Sequence, residues 1–112
     1  MHIQIHQAVE LYNQACLAEQ EGKPNLAEVY YLKSWAMFEE AGGSHYVNAA
    51  NALNALAYLR QSRGNHEGAL CSAKKSVQIL EAHKTESRNG DAELVRMQAW
   101  DLINQLVCGE VC

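Results

Sequence analysis

Few of the 112 residues stand in combinations that could do chemistry. His2 and His6 are four apart, as are Cys108 and Cys112, and on a helix each pair would share a face as two metal ligands do. Two ligands are half of a closed zinc site, and both pairs lie at the chain ends, so solvated terminal side chains are expected and no metal. Cys16 and Cys71 fall within helical stretches and read as small buried or half-buried side chains. There is no glycine-rich phosphate loop, no Gly-x-Ser-x-Gly turn and no His-Glu-x-x-His run. No Cys or His has the partner pattern of an activated nucleophile, so neither a catalytic residue nor a cofactor is expected. What remains is recognition chemistry. Asn48, Asn51 and Asn54 recur at a spacing of three, and an amide side chain offers both a donor and an acceptor. Tyr12, Tyr58, Trp100 and Arg96 are of the types that anchor protein interfaces.

The elements that position these residues belong to a chain of ordinary globular composition. Hydrophobic residues make up 48% and charged residues 20%, which excludes a disordered or collagen-like chain. The net charge of −4 gives no general attraction to DNA or RNA, so no nucleic-acid partner is expected. No stretch reaches the roughly 18 apolar residues of a membrane span, so no membrane partner is expected either. Met1-His2-Ile3-Gln4-Ile5-His6 has no basic region ahead of an apolar one, so a cytoplasmic chain with reduced cysteines is expected.

Sliding the sequence by 42 residues aligns Ala8 with Ala50, Leu11 with Leu53, Ala15 with Ala57, Leu17 with Leu59 and Gly22 with Gly64. It also aligns Ala27 with Ala69, Lys33 with Lys75, Ser34 with Ser76 and Glu39 with Glu81. So many identities at one offset mark an internal repeat. A further 42 residues on, Ala8 meets Ala92, Gln14 meets Gln98 and Ala15 meets Ala99. Each copy reads as helix, turn, helix. Ile5, Ala8, Leu11, Ala15 and Ala18 have helical spacing over residues 3–21, and Gly22 ends that helix. Pro24 suits a helix start, and Asn25 with Glu28 three residues on predicts a capped helix over about 26–41. Gly42-Gly43 closes it. Ser44 is the expected cap of a third helix over about 45–63, and Gly64-Asn65 turns into a fourth over about 66–85. Asn89-Gly90-Asp91 breaks the chain before a fifth over about 92–108. The fold class is all-α: a single domain over 1–112, built as an α-α superhelix. It has repeats over about 3–43 and 44–87 and a capping helix over about 91–108.

The pattern Leu11-x3-Ala15-x6-Gly22-x4-Ala27-x3-Tyr31-x2-Ser34 resembles a tetratricopeptide repeat, and Leu53-x2-Leu56-Ala57-x6-Gly64-x4-Ala69-x6-Ser76 is a cleaner second copy. Small Ala15, Ala57, Ala27 and Ala69 stand where two helices cross closely. Gln14 departs from the pattern where a large apolar residue is usual, and Arg60 where an aromatic is usual. The 42-residue spacing resembles the kinesin-light-chain-like branch. That resemblance implies that Asn54 holds the backbone of an extended peptide.

In stacked helix pairs the first helix of each repeat lines the inner face. Helical phase then places Val9, Tyr12, Asn13, Cys16 and Glu19 there, followed by Asn48, Asn51, Asn54, Ala55, Tyr58 and Gln61. On the fifth helix it places Glu93, Arg96, Met97, Trp100 and Ile103. The lysine, arginine and asparagine of the clamp that some family members close on chaperone tails are missing: Tyr12, Cys16, Ala55, Glu93 and Met97 occupy the matching positions. The stripe Tyr31-Trp35-Phe38 is expected in the core, with Tyr30 outside it. The leading functional reading is a non-catalytic module that holds a peptide of a protein partner, through Tyr12, Asn13, Asn51, Asn54, Tyr58, Arg96 and Trp100. The second is self-association into a homodimer, because the fifth helix carries Leu94, Val95, Met97, Trp100, Leu102, Ile103, Leu106 and Val107 on more than one side. A dimer responsive to metal or redox state through Cys108 and Cys112 is the third.

Overall fold

The structure, a computed structural model, describes residues 5–42, 45–83 and 90–111. The expected cap at Ser44, the break at Asn89, His2, Cys112 and the side chain of Cys108 lie outside the described residues. Five helices follow one another: α1 (Ile5–Gln20), α2 (Pro24–Ala41), α3 (Tyr46–Ser62), α4 (His66–Ala82) and α5 (Gly90–Val111). The described residues contain no strand, in keeping with the all-α expectation.

The two repeats turn in the same way. After α1, the amide of Lys23 donates to the carbonyl of Ala18 at 2.8 Å, and after α3 that of Asn65 donates to Arg60 at 2.8 Å. These six-to-one bonds need a left-handed residue just before the donor, and Gly22 and Gly64 supply it with φ of 75° and 80°. The helices that follow start differently. Asn65 caps α4, its Oδ1 accepting from the Gly68 amide at 3.0 Å. Asn25 does not cap α2. The helix begins one residue earlier, because Pro24 has no N–H to leave unpaired and its fixed φ fits the first helical position. Asn25 and Glu28, expected to form a capping box, instead reach the next repeat. Asn25 Oδ1 accepts from Arg63 at 2.7 Å, and Glu28 pairs with Arg60 at 3.5 Å and Arg63 at 3.7 Å.

Within each repeat the helices cross on alanines. Ala15, Ala18 and Ala27 are buried with Tyr31, and Ala57, Ala69 and Ala73 are buried together. A serine of the second helix ties each crossing: Ser34 Oγ donates to the Ala8 carbonyl at 2.8 Å and Ser76 Oγ to the Ala50 carbonyl at 3.1 Å. Tyr31 and Phe38 are buried as expected; Trp35 is half-buried under the Lys75 ammonium, 4.3 Å from the ring centroid. Arg60, in place of the usual aromatic, donates to Ser72 at 2.8 Å and to the Gly68 carbonyl at 3.3 Å.

The fifth helix breaks the repetition. In α3, Leu56 and Leu59 pack back onto Ala27 and Tyr31 of the first repeat, while Ala57 faces α4. The residues of α5 at the places of Leu56 and Leu59 are Gln98 and Asp101, and both are exposed. What α5 buries against the second repeat is Ala92, Val95, Ala99, Leu102, Ile103 and Leu106. Of these, Ala92, Ala99 and Leu102 match Ala8, Ala15 and Ala18, which α1 buries against its own partner helix. The capping helix is therefore rotated about its axis relative to a third copy of the repeat.

Candidate functional site

The inner face is built from one partly exposed stripe on α1 and one on α3. Val9, Tyr12 and Cys16 recur at helical spacing on the first, and Asn51, Ala55 and Tyr58 on the second. Val9 and Tyr58 are 43% and 41% exposed, large values for apolar or aromatic side chains. Tyr12 joins the two stripes: its hydroxyl accepts from Asn51 Nδ2 at 3.4 Å, and its ring meets Tyr31 edge-on at 5.5 Å. Tyr31 lies beneath, buried, its hydroxyl donating to a Glu19 carboxylate oxygen at 2.8 Å, with Cys16 Sγ 3.5 Å away. Burial pushes both phenols above their ordinary range, so Tyr12 and Tyr31 stay protonated hydrogen-bonding groups. Asn13 is exposed one step further round α1.

Between α3 and α5 the face continues as a depression of about 250 Å³, lined by Val47, Asn48, Asn51, Leu94, Val95 and Gln98. Of these, Val47, Leu94, Val95 and Gln98 lie outside the set expected from the sequence. Once α5 turns its alanine face inward, helical phase brings Leu94 and Gln98 beside the asparagines, and only the rotation reveals this.

Three expected site residues stand elsewhere. Asn54 is 2% exposed, and its Nδ2 donates to the carbonyl of Val95 at 2.9 Å. The amide expected to hold a bound peptide holds the backbone of α5 instead, while its Oδ1 is buried with no hydrogen-bond partner among the described residues. A spacing of three explains this: each step falls about 60° short of a full turn, so Asn48 and Asn51 stay on the open face and Asn54 rotates under α5. Arg96 bonds Glu93 of its own helix at 2.7 Å and Glu81 of α4 at 3.3 Å. The hydrogen bond to Glu93 leads in holding its guanidinium above the ordinary range, so the charge is already matched rather than offered to the groove. Trp100 is 46% exposed, in a shallow depression lined only by α5 residues, among them Leu94, Met97 and Asn104. The structure thus gathers Tyr12, Asn51 and Tyr58, with Asn13 alongside, and separates them from Asn54, Arg96 and Trp100.

A cleft of about 290 Å³ lies on the opposite side, between α2, α3 and α4, lined by Phe38, Glu39, Tyr46, Lys75 and Ile79 among others. Tyr46 stacks on His83 at 4.3 Å beside it. No group of three His, Cys, Asp or Glu among the described residues could hold a metal ion. Among the described residues, no helix is long and apolar enough to cross a membrane.

A family model described as tetratricopeptide repeat matches residues 7–82, two thirds of the chain. The chain belongs to the tetratricopeptide repeat family. No match was found among curated proteins or among solved structures. Tetratricopeptide repeats generally mediate protein–protein interaction, and the family is generally non-catalytic. The matched residues run from within α1 to the end of α4, the two helix pairs that carry the joined stripes.

Proposed function

We propose that the α1/α3 face binds an extended segment of a partner protein, without catalysis, in the cytoplasmic setting expected from the sequence. The observation that carries this reading is the strip of half-buried Tyr12, Asn51 and Ala55 flanked by exposed Val9 and Tyr58, running across two repeats of an interaction family. Tyrosine contributes contact area at low entropic cost, and asparagine matches the donors and acceptors of a peptide backbone. No lysine or arginine stands in the strip, so the segment it suits is neutral and apolar rather than acidic. A face this short makes a small interface, so micromolar affinity is expected.

The test is selection from a random peptide library, followed by nuclear magnetic resonance mapping of the selected peptides on the full chain. Shifts centred on α1 and α3, with Asn51→Ala and Tyr58→Ala each weakening binding about tenfold, would support the reading. Peptides that shift only α5 or the α2/α4 cleft would sink it. Association of two copies is a second reading, favoured by Leu94, Met97, Trp100 and Val107, which α5 exposes at 55, 60, 46 and 42%.

A further inference from the structure

The exposed side of α5 carries a pattern more specific than general apolarity. Met97, Trp100, Asn104 and Val107 follow one another at steps of three, four and three, the spacing of a seam between two packed helices. All four are exposed, on the side of α5 away from buried Ala99, Leu102 and Leu106. The pattern also has the same spacing in both directions about Leu102. A second α5 running antiparallel, related by a two-fold axis that crosses the exposed seam at the height of Leu102, would set Met97 against the partner's Val107 and Trp100 against the partner's Asn104.

Polar groups choose between the two orientations. A parallel pair would place indole on indole and amide on amide, leaving two Trp N–H donors in the seam without an acceptor. In the antiparallel pair each Trp100 N–H faces the amide oxygen of an Asn104, and the one polar position in the seam fixes the register. A two-fold contact must be self-complementary, and this one is. A helix pair of this length buries on the order of 1,000 Å² in total, the lower bound of specific interfaces, which suits a reversible dimer.

We infer that two copies of this chain associate through α5 in antiparallel register, with Trp100 and Asn104 paired across the two-fold. The inference rests on the second reading above, that α5 is an association surface, and is independent of peptide binding by α1 and α3.

The experiment is sedimentation of the full chain from low to high micromolar concentration, with reductant throughout so that thiol cross-links play no part. The wild type should shift from monomer to dimer. Met97→Lys and Val107→Glu should each weaken the dimer at least tenfold, with unchanged helical circular dichroism because both side chains are exposed. The double variant should return to within a few fold of wild type, since the antiparallel register brings the opposite charges together. A parallel register would set like against like and stay monomeric. Trp100→Phe, which keeps a ring and removes the N–H, should weaken the dimer severalfold.

A monomer at every concentration would overturn both the inference and the reading of α5 as an association surface. A dimer indifferent to both single variants would do the same. A dimer that the single variants break and the double variant fails to restore would keep the surface and overturn the antiparallel register.

Discussion

The two repeats solve the same packing problem with opposite choices at two equivalent positions. In the first, Tyr12 and Tyr31 meet edge-on, and Tyr31 fills the space among Ala15, Ala18, Leu56 and Leu59. In the second, the corresponding residues are Asn54 and Ala73. The room that Ala73 leaves is taken by Leu102, Ile103 and Leu106 arriving from α5, and Asn54 fastens that helix through the Val95 carbonyl. The first repeat is filled by its own tyrosine together with Leu56 and Leu59 of its neighbour, and the second, which lacks the tyrosine, is filled by its neighbour's side chains. A small residue at a repeat position therefore marks where the next element must deliver bulk.

The sharpest way to break this comparison is to empty each core. Tyr31→Ala should cost about 4 kcal/mol and Leu102→Ala about 3 kcal/mol in chemical denaturation. If Tyr31→Ala cost under about 1 kcal/mol, the first repeat would not depend on its own aromatic. Alkaline pH should come next. Tyr31 has a raised pKa in the folded chain, so the stability linked to its protonated form is complete below the unfolded value near 10 and is lost as pH rises above it. Alkaline unfolding followed by circular dichroism should begin at higher pH in Tyr31→Phe than in wild type; coincident curves would remove Tyr31 from the account.

A smaller effect is expected at the seat of α5. Asn54→Ala should cost about 1–2 kcal/mol, because the lost bond to Val95 is partly offset by removal of the unpaired Oδ1. Hydrogen exchange should accelerate in α5 and leave α1 unchanged, and uniform acceleration would contradict a local tie. The smallest effects test what the repeats share. Ser34→Ala and Ser76→Ala should each cost about 1 kcal/mol and add in the double variant, since the two bonds lie in separate crossings.

Much of this was legible in the sequence because it is set locally. Apolar spacing predicts each helix, Gly22 and Gly64 mark equivalent turns, and the 42-residue offset pairs Ser34 with Ser76, which the structure turns into matching bonds. The inner-face positions on α1 and α3 also follow from phase, because each of these helices has a partner helix that fixes its rotation. For α5 the same phase misleads. Its alignment with α1 and α3 says which residues correspond and leaves open which face it buries, so Trp100 and Arg96 were expected in the groove and stand outside it. Asn54 leaves the groove for a related reason: a spacing of three drifts round the helix, and only packing decides where the third residue arrives.

The rotation of α5 has a consequence for how such a chain could lengthen. Copying the second repeat and inserting it ahead of α5 would present that helix with the same exit surface it now covers, so the array could grow by duplication there. Adding a unit after α5 would fail in the usual geometry, because Ala92, Ala99 and Leu102, the positions through which α1 engages its partner, are already occupied. The last helix acts as a stop codon written in side-chain packing.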